Sequence, residues 1–299
     1  MTPRAVRFYK MEATGNAFVL VDASENPERD WPSLAVDTAD PHFGVGHDGL
    51  LVVEDSDTAD FRQRMFNPDG TEDMCGNGLR CTAKHLYDTG RIGEGPVAIE
   101  TLAGVRTVQV VQSRGMAAVV RADLGRPDVR ALQLNPTPTL DRVLPRDQRA
   151  AVLGPTYVSF GTPHVVVCAD YNLPGRLWES ISREIEHHPD LGERVTATWF
   201  LLAPSGPTRV PHTLSARFWE RSVGETLACG TGAAAATAVA LARGLVDGAT
   251  IVNMRGGSVE VSRDDGGRFH VTGEAVTVFS GTWEPRERDR RDAPKGRDE

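Results

Sequence analysis

A chain of 299 residues, 40% hydrophobic and 25% charged, has the composition of a soluble globular protein and the length for two domains of about 130 to 150 residues, each able to bury its own core. Its formal charge of −8 excludes the basic face that a nucleic-acid partner requires, and no apolar run approaches the ~18 residues of a membrane span. The opening MTPRAVRFYKMEATGN has no signal-peptide core, so a cytoplasmic protein is expected.

In chain order, VRFYKMEATGNAFVLVDA brackets ATGN with short apolar runs, the pattern of strand, turn and strand. DGLLVVED continues as a strand, and DFRQRMFNPDG as a strand ending in an Asn-Pro-Asp-Gly turn. MCGNGLRC follows, leading into LRCTAKHLYDTG, a helical pattern closed by Gly90. PVAIETLAG, VRTVQVVQS and AAVVRADLG then read as strands. The stretch from Arg126 to Ala151 is rich in Pro, Asp and Arg and reads as a long surface connection.

The second half repeats the order. HTLSARFWERSVGETL leads to Cys229, then to the alanine-rich helical run GTGAAAATAVALARG closed by Gly244, then to ATIVNMRGG and SVEVSRD. From Cys75 to Gly90 is 15 residues, as from Cys229 to Gly244; from Cys75 to Gly104 is 29, and from Cys229 to Gly257 is 28. The expected fold is therefore α+β, two similar pseudo-symmetric domains, each a β-sheet wrapped around a central helix, with the active site in the cleft between them. The first domain is placed at 1–115 with Cys75, the second at 116–276 with Cys229, and 277–285 as a last strand returning to the first domain. Residues 286–299 form a charged tail, expected to be disordered: from Glu284 on, six Arg/Lys are balanced by six Asp/Glu.

Several chemistries fit poorly. Only Lys10, Lys84 and Lys295 could form a Schiff base, and none stands in a phosphate-binding context, so pyridoxal phosphate is not expected. Cys75, Cys81, Cys168 and Cys229 are too few for a disulfide scaffold and lack metal-ligand spacing. No cofactor and no metal are expected. Cys81 and Cys168 read as small buried apolar residues.

Cys75 and Cys229 each precede a Gly-rich helix start. There the unpaired N–H groups and the helix dipole favour a thiolate, which can bring a cysteine from about 8.5 into the range of about 3.5 to 7.5. The adjoining glycines let backbone N–H groups approach a carboxylate. Two such thiols facing each other suit inversion of a carbon next to a carboxylate, with thiolate removing a proton on one face and thiol returning one on the other.

FNPDGTEDMCGNGLRC and WERSVGETLACGTGAAAA resemble the two cysteine signatures of the diaminopimelate epimerase family, cofactor-independent enzymes that convert LL- to meso-diaminopimelate. KMEATGNAFVLVD, GVGHDGLLVVE, FGTPHVVV and TGEAVTVFSG extend the resemblance to about Trp283. It implies that Cys75 and Cys229 are the acid and base, and that Gly76, Asn77, Gly230 and Thr231 hold the reacting carboxylate. It places Asn16, Asn67, Glu220 and Arg221 among substrate-binding positions; Arg221 can grip a carboxylate and Glu220 can receive an ammonium.

The chain departs from the family pattern in three places. Thr162 stands for the asparagine of Gly-Asn-Pro-His, Thr196 for a second asparagine, and Ala17 for an aspartate. Both lost asparagines belong, in the family, to the pocket for the substrate's unreacting end. The leading expectation is an amino-acid epimerase or racemase acting on a small molecule, diaminopimelate first. A racemase of another amino acid, for example a basic one such as histidine, stands second, and a non-catalytic binding protein of this fold third. A homodimer remains open, with no nucleic-acid or membrane partner expected.

Overall fold

The computed structural model describes residues 5–26, 29–131, 152–169, 175–191, 195–202, 212–220 and 223–284. The charged tail from residue 286, most of the connection between Arg126 and Ala151, and Arg221 lie outside them.

The fold is α+β, and it repeats one plan twice. In the first half, β1 (Val6–Ala13) and β2 (Asn16–Asp22) form a hairpin, and helix α1 (Trp31–Ala39) leads to β3 (Gly49–Glu54), parallel to β2. Strand β4 (Phe61–Phe66) pairs antiparallel with β3 and with the short β5 (Glu72–Asp73), which delivers the chain to α2 (Gly76–Asp88). Strand β6 (Val97–Thr101) returns parallel to β4, followed by antiparallel β7 (Gly104–Arg114) and β8 (Ala117–Gly125), and then by β9 (Asp128–Ala131).

The second half has the same order: hairpin β10 (Val152–Ser159) and β11 (Pro163–Ala169), helix α3 (Gly175–Glu186), β12 (Thr196–Leu202), β13 (His212–Glu220), β14 (Gly224–Thr226), helix α4 (Gly230–Ala242), then β15 (Thr250–Met254), β16 (Gly257–Arg263) and β17 (Phe269–Trp283). Its parallel pairs, β11 with β12 and β13 with β15, match those of the first half. Helices α1 and α3 are additions to the elements expected from the sequence.

Both faces of the sheet are covered in each half, which is why several strands are apolar throughout rather than alternating. In β2 and β3, Phe18, Leu20, Leu51 and Val53 pack with α2, whereas Val19, Val21, Leu50 and Val52 pack on the opposite face with Trp31, Leu34 and Ala35 of α1. In β11, Val166 and Cys168 join the α4 core, whereas Val165 and Val167 meet Trp178, Ile181 and Ile185 of α3. Except for the exposed Ala242 at its end, the alanines of α4 are buried, so its surroundings can close tightly around the helix. Gly90 and Gly244, at φ 70° and 67°, end α2 and α4 in the left-handed conformation that glycine adopts without strain.

Strands β8 and β17 run antiparallel and form the seam between the halves. Strand β8 gives Ala118, Val120 and Ala122 to the core around α2 and Leu124 to that around α4; β17 gives Phe269 and Val271 to the latter and Ala275 to the former. Beyond the seam β17 pairs with β1, Val6 opposite Trp283 and Glu12 opposite Val276. A division at residue 115 falls in the turn of the β7–β8 hairpin. Across the seam, the β1–β2 turn sits on the glycines between β15 and β16: a Cβ on Gly256 would lie 2.1 Å from the Thr14 carbonyl oxygen. Asn16 follows that turn and is thereby held beside the segment that precedes Cys229. Among the described residues no helix is long and apolar enough to cross a membrane.

Candidate active site

Each central helix begins with a cysteine at its N-cap. Cys75 has φ −132° and ψ 118°, and Cys229 has φ −139° and ψ 111°, so the two halves present their thiols with nearly one backbone geometry. A residue in extended conformation at this position turns its side chain across the open end of the helix. Neither helix start has a side-chain capping hydrogen bond, and the Gly78 and Asn77 N–H groups bear on the Cys75 thiol as that of Gly232 does on Cys229.

The two helix starts abut. A Cβ on Gly230 would meet Asn77 Oδ1 at 2.8 Å, and one on Gly76 would meet Leu124 at 3.3 Å and Thr231 Cγ2 at 3.8 Å. Gly76, Asn77, Gly230 and Thr231 therefore come together, and a small anion between them would face N–H groups from both helices. Gly232 is required by packing, since a Cβ there would lie 2.6 Å from the Phe218 ring.

Hydrogen bonds tie further residues to the thiols. Asn16 Oδ1 accepts from the Cys75 thiol at 3.8 Å and from Asn77 Nδ2 at 3.4 Å, while Asn16 Nδ2 donates to Asp48 at 2.8 Å. Thr231 Oγ1 lies 3.5 Å from Cys229 Sγ and 2.9 Å from Nε2 of the buried His164, whose Nδ1 is 3.0 Å from Thr198 Oγ1. Glu220, at the end of β13, accepts from Thr226 Oγ1 at 2.6 Å. Thr196 is buried in β12, in register with His164, and Thr162 lies in the β10–β11 turn before it. Asn67 holds the NPDGT turn, donating through Nδ2 to Thr71 Oγ1 at 3.0 Å. Arg221 lies outside the described residues.

Asp48, His164 and Thr226 were not among the residues singled out in the sequence. GTPH and GVGHDG contain two of them, but neither segment has a spacing that reveals which side chain would turn toward a cysteine.

The electrostatics differ from the expectation of a depressed thiol. Burial pushes Cys75 up to about 11, against the downward pull of the Gly78 and Asn77 N–H groups and Arg80, and with a further upward push from the Glu220 carboxylate. Burial raises Cys229 well above the ordinary value as well, with Glu220 next in effect. Removal from water outweighs the helix-start dipoles. Both thiols are thereby held toward the neutral form. Glu220 itself is raised to about 6, first by burial and then by the charges of Asp48 and Asp73, although Thr226 and Cys229 pull it down. It is a carboxylate at neutral pH, poised to receive a cation.

The comparisons with known proteins follow the repeat. The sequence profile described as Diaminopimelate epimerase matches residues 8–129 and 156–278, one segment in each half. Diaminopimelate epimerase of Pelotomaculum thermopropionicum is 36% identical over 284 residues, covering 93% of this chain and 99% of that protein. That of Desulfitobacterium hafniense is 37% identical over 281 residues, covering 91% and 96%. Among solved structures, a phenazine biosynthesis protein of the PhzF family from Bacillus anthracis shares the fold at TM-score 0.72 and 20% identity, covering 94% of this chain and 99% of that one. A probable proline racemase from Agrobacterium radiobacter does so at TM-score 0.68 and 14% identity, covering 95% and 94%. With full-length relatives above one-third identity and a profile match across both halves, the chain belongs to the diaminopimelate epimerase family and is an isomerase.

Proposed function

We propose that the chain inverts Cα of diaminopimelate, interconverting its LL and meso forms, with Cys75 and Cys229 as the two proton carriers. The observation that carries this reading is the pair of cysteines at matched N-caps of two abutting, glycine-led helix starts. The substrate carboxylate lies on the N–H groups of Gly76, Asn77, Gly230 and Thr231, and its ammonium is received by Glu220. One cysteine as thiolate takes the Cα proton; the electron pair left on carbon spreads into the carboxylate, where the helix starts stabilise it. The other cysteine as thiol donates its proton to the opposite face. The product leaves with Cα inverted and the two sulfurs with their protonation exchanged.

This division of labour also explains the raised thiols. A substrate ammonium supplies the positive charge that makes one of them ionise, so the reactive thiolate forms only in the complex. Replacing Cys75 or Cys229 with alanine tests the reading. Each variant is expected to fold and to lose interconversion of the two isomers by chiral chromatography; near-normal turnover in either would contradict it.

A second reading, a racemase of a basic amino acid on the same scaffold, draws on two observations. Thr162 and Thr196 offer hydroxyls where the family has asparagines, and Thr198, the neighbour best placed to compensate, is engaged with His164. Asp48 and Asp73 also add negative charge near Glu220, which favours a substrate of greater positive charge at the site.

A further inference from the structure

Asp48 stands just before β3, on a short loop that is tied down on its N-terminal side: Lys10 Nζ donates to the Gly46 carbonyl, and Nε2 of the buried His47 lies 3.0 Å from Thr38 Oγ1. The Asp48 N–H donates to the Ala17 carbonyl at 2.8 Å, while its Oδ2 accepts from the Ala17 N–H and from Asn16 Nδ2, each at 2.8 Å. One carboxylate oxygen thus grips the first two residues of β2. From there a chain of side-chain amides runs inward. Asn16 Oδ1 accepts from Asn77 Nδ2 at 3.4 Å and faces the Cys75 thiol at 3.8 Å, and Asn77 Oδ1 lies 2.8 Å from where a Cβ of Gly230 would stand. The chain begins at an exposed carboxylate and ends between the two helix starts.

The sense of this chain is set at one end. An amide can turn over and exchange its oxygen and nitrogen, whereas a carboxylate only accepts. A turned Asn16 would set its oxygen against the Asp48 carboxylate and its nitrogen against Asn77 Nδ2, replacing two hydrogen bonds with two repulsions. Asn16 therefore presents its oxygen to Cys75 and Asn77. Asn77 is buried and its Oδ1 has no hydrogen-bond partner among the described residues, so the bond from Asn16 is what fixes its amide. The second half reaches its thiol from the matching pair of parallel strands, where Thr198 on β12 and His164 on β11 hold Thr231 beside Cys229.

We propose that Asp48 is a positioning residue: acting through Asn16, it fixes the polarity of the amides beside Cys75, and so holds both the acceptor that faces this thiol and the Asn77 segment on which the substrate carboxylate lies. The proposal rests on the reading of Cys75 as a proton carrier. What the role requires at Asp48 is an accepting oxygen in place, not a net charge.

The test compares Asp48→Asn, Asp48→Ala, Asn16→Ala and the double variant of the last two with the native chain, with thermal unfolding to verify that each folds. In Asp48→Asn the Ala17 N–H turns the new amide oxygen toward Asn16 Nδ2, so the chain survives without the charge, and kcat is expected to stay within about threefold of native. Asp48→Ala frees the Asn16 amide and is expected to lower kcat about tenfold, with KM changed less than about threefold. Asn16→Ala is expected to cost at least as much, and adding Asp48→Ala to it less than about twofold more, because Asp48 acts through Asn16. Without substrate, the Asn16 side-chain amide is followed by heteronuclear NMR, assigned by its loss in Asn16→Ala. Its protons are expected to exchange with solvent at least about tenfold faster in Asp48→Ala than in the native chain or Asp48→Asn. Asp48→Asn as impaired as Asp48→Ala, losses that multiply in full in the double variant, or an Asn16 amide equally protected in Asp48→Ala would overturn the proposal. The expected exchange behaviour in a chain that epimerises nothing would sink the functional reading and leave the hold of Asp48 on Asn16 standing.

Discussion

Replacing Glu220 with glutamine keeps the shape of the side chain and removes its charge. In the folded protein the Glu220 carboxyl is raised from 4.5 to about 6 by burial and by Asp48 and Asp73. A carboxyl raised on folding favours the folded state when protonated; that contribution is complete below about 4.5 and is lost as pH rises through about 6. Displacement from 4.5 to about 6 corresponds to about 2 kcal/mol, an upper figure because Glu220 is only partly buried. Native and Glu220→Gln proteins should therefore have similar stability at pH 4, and the variant should be more stable by up to about 2 kcal/mol at pH 8. Urea unfolding at a series of pH values reads the difference directly, since titrations elsewhere cancel between the two proteins. The same variant is expected to lose most of its activity, because nothing then receives the substrate ammonium. A stability difference that stays constant from pH 4 to 8, or one that favours the native protein at pH 8, would refute the assignment of Glu220 as a buried, destabilising carboxylate kept for its chemistry.

Other changes separate packing from chemistry. Gly232→Ala drives a methyl into Phe218 and should cost about 1 to 3 kcal/mol by thermal or urea unfolding, whereas Gly230→Ala displaces the Asn77 amide and should lower kcat/KM at least about tenfold with little loss of stability. Thr162→Asn combined with Thr196→Asn should raise turnover of diaminopimelate relative to other amino acids, measured as a ratio of kcat/KM, because buried polar groups discriminate by the partners they leave unpaired. Mild oxidation should abolish activity and reductant restore it, with a Cys75–Cys229 bridge visible by peptide mapping; full activity in oxidant with both thiols free would show that the sulfurs do not approach each other.

Much of the fold was legible because the chain is repeated. Two cysteine-led helices ending in glycine at equal intervals can be read from residue types alone, and the Gly90 and Gly244 conformations follow from what glycine permits. Helices α1 and α3 were harder. α1 is only nine residues long and begins Trp-Pro, and the segment of α3 carries its period in just Trp178, Ile181 and Ile185. The seam formed by β8 and β17 could not be read at all, since which core each of their side chains joins depends on pairing between residues about 150 apart in sequence. At the site, Cys75 and Cys229 stand out by residue type in glycine-rich helix starts, whereas Asn16 and Glu220 are singled out only by the resemblance to the family signatures. His164 and Asp48 are ordinary residue types, brought near the cysteines only by where β11 and the loop before β3 place them. The direction of the thiol shift was missed for a similar reason: helix starts can be read locally, but burial is a property of everything packed around them.

The central claim is that Cα of diaminopimelate is deprotonated and reprotonated between Cys75 and Cys229. Its most direct test is to incubate the protein with LL-diaminopimelate in deuterium oxide and to follow Cα by proton NMR and mass spectrometry. The account predicts that the meso product carries one deuterium at the inverted carbon, with incorporation abolished in Cys75→Ala and Cys229→Ala. Meso product formed without deuterium, exchange that persists when either cysteine is replaced, or no reaction of LL-diaminopimelate at all would contradict it.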